Sequence, residues 1–327
     1  MDKYINRFPE QLLEALTIGE GLPPMRLQHP VSNIVICGMG GSGIGGAFVK
    51  ELLQHTLSIP VIINQEYTLP AFADEHTFVI CSSYSGNTEE TISALKDAIA
   101  KKCTVACITT GGELEKIAIQ HQLPLVKIPG GMPPRTCLGY SLTAQLYILF
   151  QAGFISDTFK EQIRQASEFL KNKSAHIRKI ALALAGEINN RLPIIYTSSN
   201  MEAMGQRWKQ QINENAKKHC FANVVPEMNH NELVAYSIGG NDIAVILLRD
   251  TADDARIQKR FDIMKELISG KAGSINEYHA EGENAIEKMF YLIHLGDWVS
   301  YYLAEQNGIN PIAIDILDEL KQRLTRS

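Results

Sequence analysis

The stretch from Phe78 to Ile99 reads F-V-I-C-S-S-Y-S-G-N-T-E-E-T-I-S-A-L-K-D-A-I. A short apolar run ends abruptly in small hydroxyls and a glycine, and an apolar-periodic segment follows from Thr91 to Ile99. That succession predicts a strand over 77–81, a tight loop, and a helix over 88–100. Ser83, Ser85 and Thr88 offer three hydroxyls, and Gly86 lets the backbone turn without a Cβ clash. The helix start adds free N–H groups and the positive end of its dipole. Such a set suits an oxyanion, above all a phosphate. The plainer reading makes Thr88 an N-cap and nothing more. Capping needs one hydroxyl, however, and three within six residues favour an anion cradle.

Working outward, the same alternation recurs on both sides. Strands are predicted over 33–37, 61–63, 104–109 and 125–128, with helices over 47–53 and 113–121. Near the start a helix is expected over 12–18, stopped by Gly19, Gly21 and the Pro23–Pro24 pair. Two prolines keep the segment from Gly130 irregular until a helix over 136–151. Gly153 and Ser156 mark a boundary, which gives domains at 1–153 and 154–327, with a long helical region over 159–190. The second half repeats the theme, with strands over 193–197, 221–225, 243–248 and 275–279. Its helices fall over 201–218, 255–268, 284–305 and 311–324, the last with Pro311 as first helical residue. Alternating strands and helices define an α/β fold, in which parallel sheets are covered by helices and ligands bind at the carboxyl ends of the strands.

The bulk properties are those of a globular protein. The chain has 327 residues, 45% hydrophobic and 20% charged, enough for two cores and against extended disorder. A net charge of -5 with no basic stripe excludes nonspecific nucleic-acid binding. No apolar run is long enough for a membrane span, and the first ten residues lack a signal-type apolar region. Six cysteines, none in a C-x-x-C pair, read as buried thiols in a reducing compartment. The expectation is a cytoplasmic protein without a metal site.

Gly38, Gly40 and Gly43 satisfy G-x-G-x-x-G, and Glu66 follows at dinucleotide spacing. Alone, this points to an NAD-dependent oxidoreductase. The loop nevertheless carries Gly41, Ser42, Gly45 and Gly46 besides, more glycine than that fingerprint requires. A second cradle at Ser83, one β-α unit later, instead fits a phosphosugar whose body lies over the first loop and whose phosphate sits in the second.

Five stretches, in order, resemble one family: G-M-G-G-S-G-I-G-G at Gly38, S-Y-S-G-N-T-E-E-T at Ser83, P-P-R-T-C-L-G-Y at Pro133, N-E-N-A-K at Asn213 and P-E-M-N-H-N-E at Pro226. Together they resemble the bifunctional phosphoglucose/phosphomannose isomerases, a branch of the sugar-isomerase-domain superfamily. The resemblance implies two sugar-isomerase-type domains, a homodimer, and interconversion of glucose and mannose 6-phosphates with fructose 6-phosphate without metal or organic cofactor. It implies that Ser83, Ser85 and Thr88 bind phosphate and that Gly41 and Ser42 lie near the sugar. Arg135 would stabilise the intermediate, Glu214 would be the base, and His230 would open the ring, from its own subunit or the partner's. One departure stands out. Where the family carries a lysine ahead of a carboxy-terminal G-x-D-P turn, this chain has Gln306, and no lysine lies between Lys288 and Lys321.

The chemistry agrees with those residue types. Moving a proton between carbons 1 and 2 through a cis-enediolate needs one base and a fixed cation for the developing oxyanion. A carboxylate is a weak base, so the cation is needed; arginine stays charged and presents a rigid fork. Plainer readings stand beside these. Glu214 could pair with Lys218 across one helical turn, although the flanking Asn213 and Asn215 are poor interior helix residues and good partners for a fixed carboxylate. Arg135 reads equally as a surface arginine beside a proline turn, and His230 as a structural histidine. Glu227 ranks below Glu214 as base, and Met289, Ile293 and Tyr301 read as core or dimer contact. A phosphosugar-binding regulatory protein without catalysis is the alternative function, and it would have no use for Glu214.

Overall fold

The computed structural model describes residues 1–324. Helices α1 (Asp2–Asn6) and α2 (Phe8–Glu20) open the chain. α2 runs further in both directions than the predicted 12–18, because Pro9 is tolerated in a first turn. Gly19 does not stop it. A Cβ there would lie 2.0 Å from the Tyr147 ring, so this glycine serves close packing.

Two compact units divide the chain. One comprises residues 6–172 and 281–291. Within it, β1 (Asn33–Cys37), α3 (Gly40–Leu53), β2 (Val61–Asn64), β3 (Thr77–Ser82), α4 (Glu89–Ala100), β4 (Thr104–Thr109), α5 (Gly112–Gln120), β5 (Leu125–Lys127) and α6 (Leu138–Gln151) follow in order, and α7 (Thr158–Ile188) begins. The five strands are parallel in the order β2-β1-β3-β4-β5. β1 and β3 are central and wholly buried, as continuous apolar runs in parallel sheets should be. Val35, Cys37, Val79, Cys81, Val105 and Cys107 form one face of the core with Ala94, Leu95 and Ala98 of α4 and Leu114 and Ala118 of α5. The strand order reverses between β1 and β3, so the loops that leave these two strands flank the crevice where open α/β sheets bind ligands.

The other unit comprises residues 1–5, 173–280 and 292–324. It contains β6 (Leu192–Ser198), α8 (Glu202–Ala216), β7 (Phe221–Val225), β8 (Gly240–Arg249), α9 (Ala255–Ile268) and β9 (Ala272–His279), then most of α10 (Ala285–Gln306), and α11 (Asp315–Leu324). Its four strands are parallel in the order β7-β6-β8-β9, the order of β2-β1-β3-β4. The fold is thus the α/β pair of parallel sheets that the alternation predicts. Several helix ends differ, two of them for a clear local reason. α8 stops at Ala216 because Lys217 takes up left-handed backbone, φ 51°. α11 starts at Asp315 rather than Pro311, because Asn310 Oδ1 accepts the Ile312 N–H (3.0 Å) and turns the chain there.

Within this unit α8 and α10 are fastened by buried polar groups. Arg207 donates to both oxygens of Asp297 (2.9 and 3.0 Å), Gln211 to the same carboxylate (2.6 Å), and Trp208 Nε1 to the Leu292 carbonyl (2.9 Å). Gly296 leaves room for the indole, since a Cβ would lie 2.4 Å from Trp208 Nε1. Removing either charge of a buried pair of this kind costs about 3–5 kcal/mol, so the attachment of α8 depends on it.

The cysteines are all free, and five of the six are buried, as expected. Cys37, Cys81 and Cys107 sit in register on adjacent strands. The Cys37 thiol and burial hold Cys81 well above the ordinary thiol range, and burial pushes Cys107 up to about 12. Among the described residues no helix is long and apolar enough to cross a membrane.

His294, buried on α10, accepts from Trp298 Nε1 (3.1 Å), and burial lowers its pKa from 6.5 to about 3. The folded imidazole stays neutral where the unfolded one gains a proton. Its share of the stability is therefore present above pH 6.5 and lost as pH falls toward 3, at up to about 1.4 kcal/mol per unit. Urea titrations between pH 7.5 and 5 should show this loss, and His294→Gln should flatten the profile by one proton's worth.

Candidate active site

The hydroxyl loop leaves β3 at Ser82 and enters α4 at Glu89. Thr88 is the N-cap in position, with extended backbone (φ -72°, ψ 117°), but its hydroxyl makes no capping bond. It meets Ser83 Oγ instead, at 2.8 Å. Ser83 Oγ also accepts the Gly86 N–H (3.1 Å), and Ser85 Oγ accepts that of Asn87 (3.2 Å). Ser83 is 1% exposed, Thr88 half-buried and Ser85 exposed. The three hydroxyls therefore line one turn from its buried root to its surface.

The conformation of this turn depends on Gly86. Its φ is +69°, and a Cβ would lie 1.8 Å from the Gly111 carbonyl oxygen. The close approach docks the loop on the turn after β4, where Leu114 N donates to Gly86 O (2.9 Å) and Thr110 N to Tyr84 O (3.1 Å). Asn87 Oδ1 takes the Glu113 N–H (3.0 Å) at the start of α5.

The glycine-rich stretch after β1 forms the first turns of α3, which begins at Gly40 rather than at the predicted 47, and it lies against the same turn. Tyr84 N donates to Ser42 Oγ (3.2 Å). Gly43 is needed because a Cβ there would lie 2.4 Å from Gly38 O, and Gly46 because one would lie 2.7 Å from Ile36. Gly41 faces the 3-10 turn Pro134–Thr136: a Cβ on it would lie 3.1 Å from Pro134 O and 3.5 Å from Arg135 Cα. Tyr84 Oη accepts the Met132 N–H (3.1 Å), which ties the approach to that turn to the hydroxyl loop. Arg135 itself is only 4% exposed, so the surface-arginine reading is excluded. Gly41 and Ser42 at the start of α3, Ser83, Ser85 and Thr88 in the hydroxyl loop, and Arg135 in its 3-10 turn thus belong to one cluster in one unit. Tyr84, which holds that cluster together, was not singled out in the sequence. Its neighbours lie more than forty residues away in the chain, and only its place amid the hydroxyls could have marked it.

Glu214 and His230 belong to the other unit. Glu214 is half-buried in the last turn of α8. Asn215 donates to Ser300 Oγ (2.9 Å) and Asn213 to the Lys218 carbonyl (3.2 Å), so both amides fasten the end of this helix. Lys218 directs its ammonium to the Asn189 carbonyl (2.8 Å), which leaves little support for reading it as the reason Glu214 is there. Lys217 donates to the carbonyls of Glu214 (2.7 Å) and Asn310 (3.0 Å). An ammonium therefore reaches the turn that follows Gln306, from α8 rather than α10. His230 is exposed at the end of the 3-10 turn Glu227–His230, which leaves β7 through a cis Val225–Pro226 bond. Glu227 accepts from Asn231 Nδ2 (2.8 Å) across that turn.

A parallel sheet with a hydroxyl-lined turn, a glycine-rich helix start and a buried arginine near its switch point defines an α/β protein whose site suits an oxyanion such as a sugar phosphate. Comparison with known proteins agrees. Residues 29–122 match the SIS domain, and residues 177–324 match the bacterial phospho-glucose isomerase C-terminal SIS domain. The chain is 37% identical, over 99% of its length and 98% of the relative's, to a bifunctional phosphoglucose/phosphomannose isomerase from Caldicellulosiruptor bescii. It is 34% identical to one from Aquifex aeolicus, over 91% of this chain and 92% of that one. The fold is also that of the C-terminal domain of glucosamine-fructose-6-phosphate aminotransferase from Francisella tularensis, with a TM-score of 0.74, 13% identity, and 95% and 97% of the two chains covered. The chain belongs to the bifunctional phosphoglucose/phosphomannose isomerase family.

Because Gly86 can carry no side chain, Gly86→Ala should undock the loop and cost about 3 kcal/mol or more, from strained φ and overlap together. The readouts are urea denaturation and titration with fructose 6-phosphate, whose binding should be lost with the loop.

Proposed function

We propose that the protein interconverts glucose 6-phosphate and mannose 6-phosphate with fructose 6-phosphate through a cis-enediolate. Besides family membership, the observation that carries this is the cluster of Ser42, Ser83, Ser85, Thr88 and the buried Arg135, bound together through Tyr84. Ser83, Ser85 and Thr88 hold the phosphate at the N-terminus of α4, remote from the reacting carbons, where its binding energy orients the substrate. Gly41 and Ser42 lie beside the sugar, and the missing Gly41 side chain lets the turn that carries Arg135 pack against them.

Arg135 stabilises the enediolate oxygens, and burial strengthens that interaction by excluding water. Glu214 moves the proton between carbons 1 and 2 on one face. His230 passes a proton to the ring oxygen and recovers it, a role suited to an imidazole near neutral pH. In this reading the reaction uses no metal or organic cofactor, the protein works in the cytoplasm as a homodimer, and two sugar-isomerase domains meet after Gly153. A regulatory protein that only binds phosphosugars is disfavoured, since family membership and the presence of Glu214 both speak for turnover.

The test is a coupled assay from fructose 6-phosphate with separate detection of glucose 6-phosphate and mannose 6-phosphate. Both should form. Glu214→Gln should lower kcat by about 10²–10⁴-fold while leaving sugar-phosphate binding within a few fold. Unchanged turnover would remove Glu214 from its role, and absence of both products in the native protein would refute the activity.

A further inference from the structure

We propose that Glu232 is a positioning residue: its carboxylate ties the segment that carries His230 to two adjacent sheet strands. The proposal rests on the ring-opening role given to His230 above. The segment after β7 has little apolar anchorage of its own. Glu227, His230 and Asn231 are exposed, and so are Val234 and Ile238 (71% and 94%), so burial holds it at only a few points. Met228 and Tyr236 are buried there, with Leu233 partly so, packed on a core that includes Tyr196, Val225, Val245 and Leu247. A catalytic imidazole has to be held to about 0.5 Å, and polar ties must supply what burial does not.

Glu232 supplies them, at the start of the second 3-10 segment, Glu232–Ile238. Tyr196, fully buried on β6, donates its hydroxyl to Glu232 Oε1 (2.6 Å). Asn223, on the adjacent β7, donates to Oε2 (2.6 Å). Both oxygens are therefore engaged by side chains of the rigid sheet. Tyr196 Oη also lies 2.9 Å from Tyr236 Oη, so one strand residue holds the short helix at two positions one turn apart. Burial first, and then the bond to Glu232, push the Tyr196 hydroxyl far up, which keeps it a donor at any working pH.

Between His230 and Glu232, Asn231 closes the frame. Its Oδ1 accepts the Glu232 N–H (2.6 Å), and its Nδ2 reaches back to Glu227 (2.8 Å), spanning the histidine. His230 sits between a buried methionine two residues before it and a doubly bonded carboxylate two residues after it. A glutamine at 232 would keep the shape and one acceptor but would set an NH₂ group against Asn223 Nδ2, so the tie to β7 would be lost.

The experiment is a cycle of Glu232→Gln, His230→Gln and the double variant, measured as kcat and KM for fructose 6-phosphate, with melting curves as a folding control. His230→Gln is expected to lower kcat by about 10²-fold and Glu232→Gln by about 10-fold, with KM within about threefold for each. The double variant should be no slower than His230→Gln, because the carboxylate acts through the imidazole. The His230 ring resonances in a ¹⁵N spectrum should shift or broaden in Glu232→Gln while the melting curve stays cooperative. Multiplicative losses in the double variant, an unchanged kcat in Glu232→Gln, or unaltered His230 resonances would each overturn the proposal. If His230→Gln alone keeps full turnover, the ring-opening role falls, and the resonances still decide whether Glu232 positions the ring. Should Glu232→Gln not fold, Tyr196→Phe and Asn223→Ala each remove one tie and take its place in the same cycle.

Discussion

A single close approach organises the candidate site: the Gly111 carbonyl lies where a side chain on Gly86 would be. It brings the hydroxyl loop onto the turn after β4 and lets Gly86, Tyr84 and Asn87 all bond to that turn or to the start of α5. With the loop fixed in this way, Ser83 and Thr88 can face each other and Tyr84 can reach both Ser42 and the backbone of Met132. The glycine loop and the Arg135 turn are therefore arranged around a conformation that only a residue without Cβ permits. The strand order adds the rest, because the reversal between β1 and β3 places the segments that leave these two strands, the glycine-rich start of α3 and the hydroxyl loop, on either side of one crevice.

The second unit uses a different device. Its candidate residues sit at the end of a helix and on an exposed turn, where side-chain polar groups do the holding. Asp297 binds Arg207 and Gln211 on α8, which carries Glu214, while Tyr196 and Asn223 bind Glu232 beside His230. Buried charged and hydrogen-bonded groups of this sort are costly to break and narrow the choice of arrangements, a good property for elements that must present a base or an acid.

Much of this was legible in the sequence, for identifiable reasons. Continuous apolar runs such as Ile34–Cys37 and Phe78–Cys81 announced buried parallel strands, and the abrupt change to S-S-Y-S-G-N-T announced a loop at a strand's carboxyl end. Gly43 and Gly46 read as loop glycines and prove to lie in the first turns of α3, where close contacts demand them. Less legible were functions set by distant neighbours. Gly19 reads as a helix stop and proves to be a seat for Tyr147; Tyr84 and Asn87 carry no signal of their own in the sequence; Asn213 reads as a carboxylate partner and ends a helix instead. Glu232 lay in a stretch without hydrophobic period, where only strand side chains contributed by residues 196 and 223 give it meaning. Local pattern reports the element and its ends; it is silent about which far residue completes a hydrogen bond.

The central claim is that the substrate held by this cradle loses and regains a proton by way of a carboxylate. It is tested most directly by running the reaction in D₂O and locating deuterium by NMR. Deuterium should enter carbon 1 of fructose 6-phosphate and carbon 2 of both aldose phosphates as isomers form, and Glu214→Gln should abolish that incorporation. Turnover and deuterium incorporation that persist unchanged in Glu214→Gln would contradict the account.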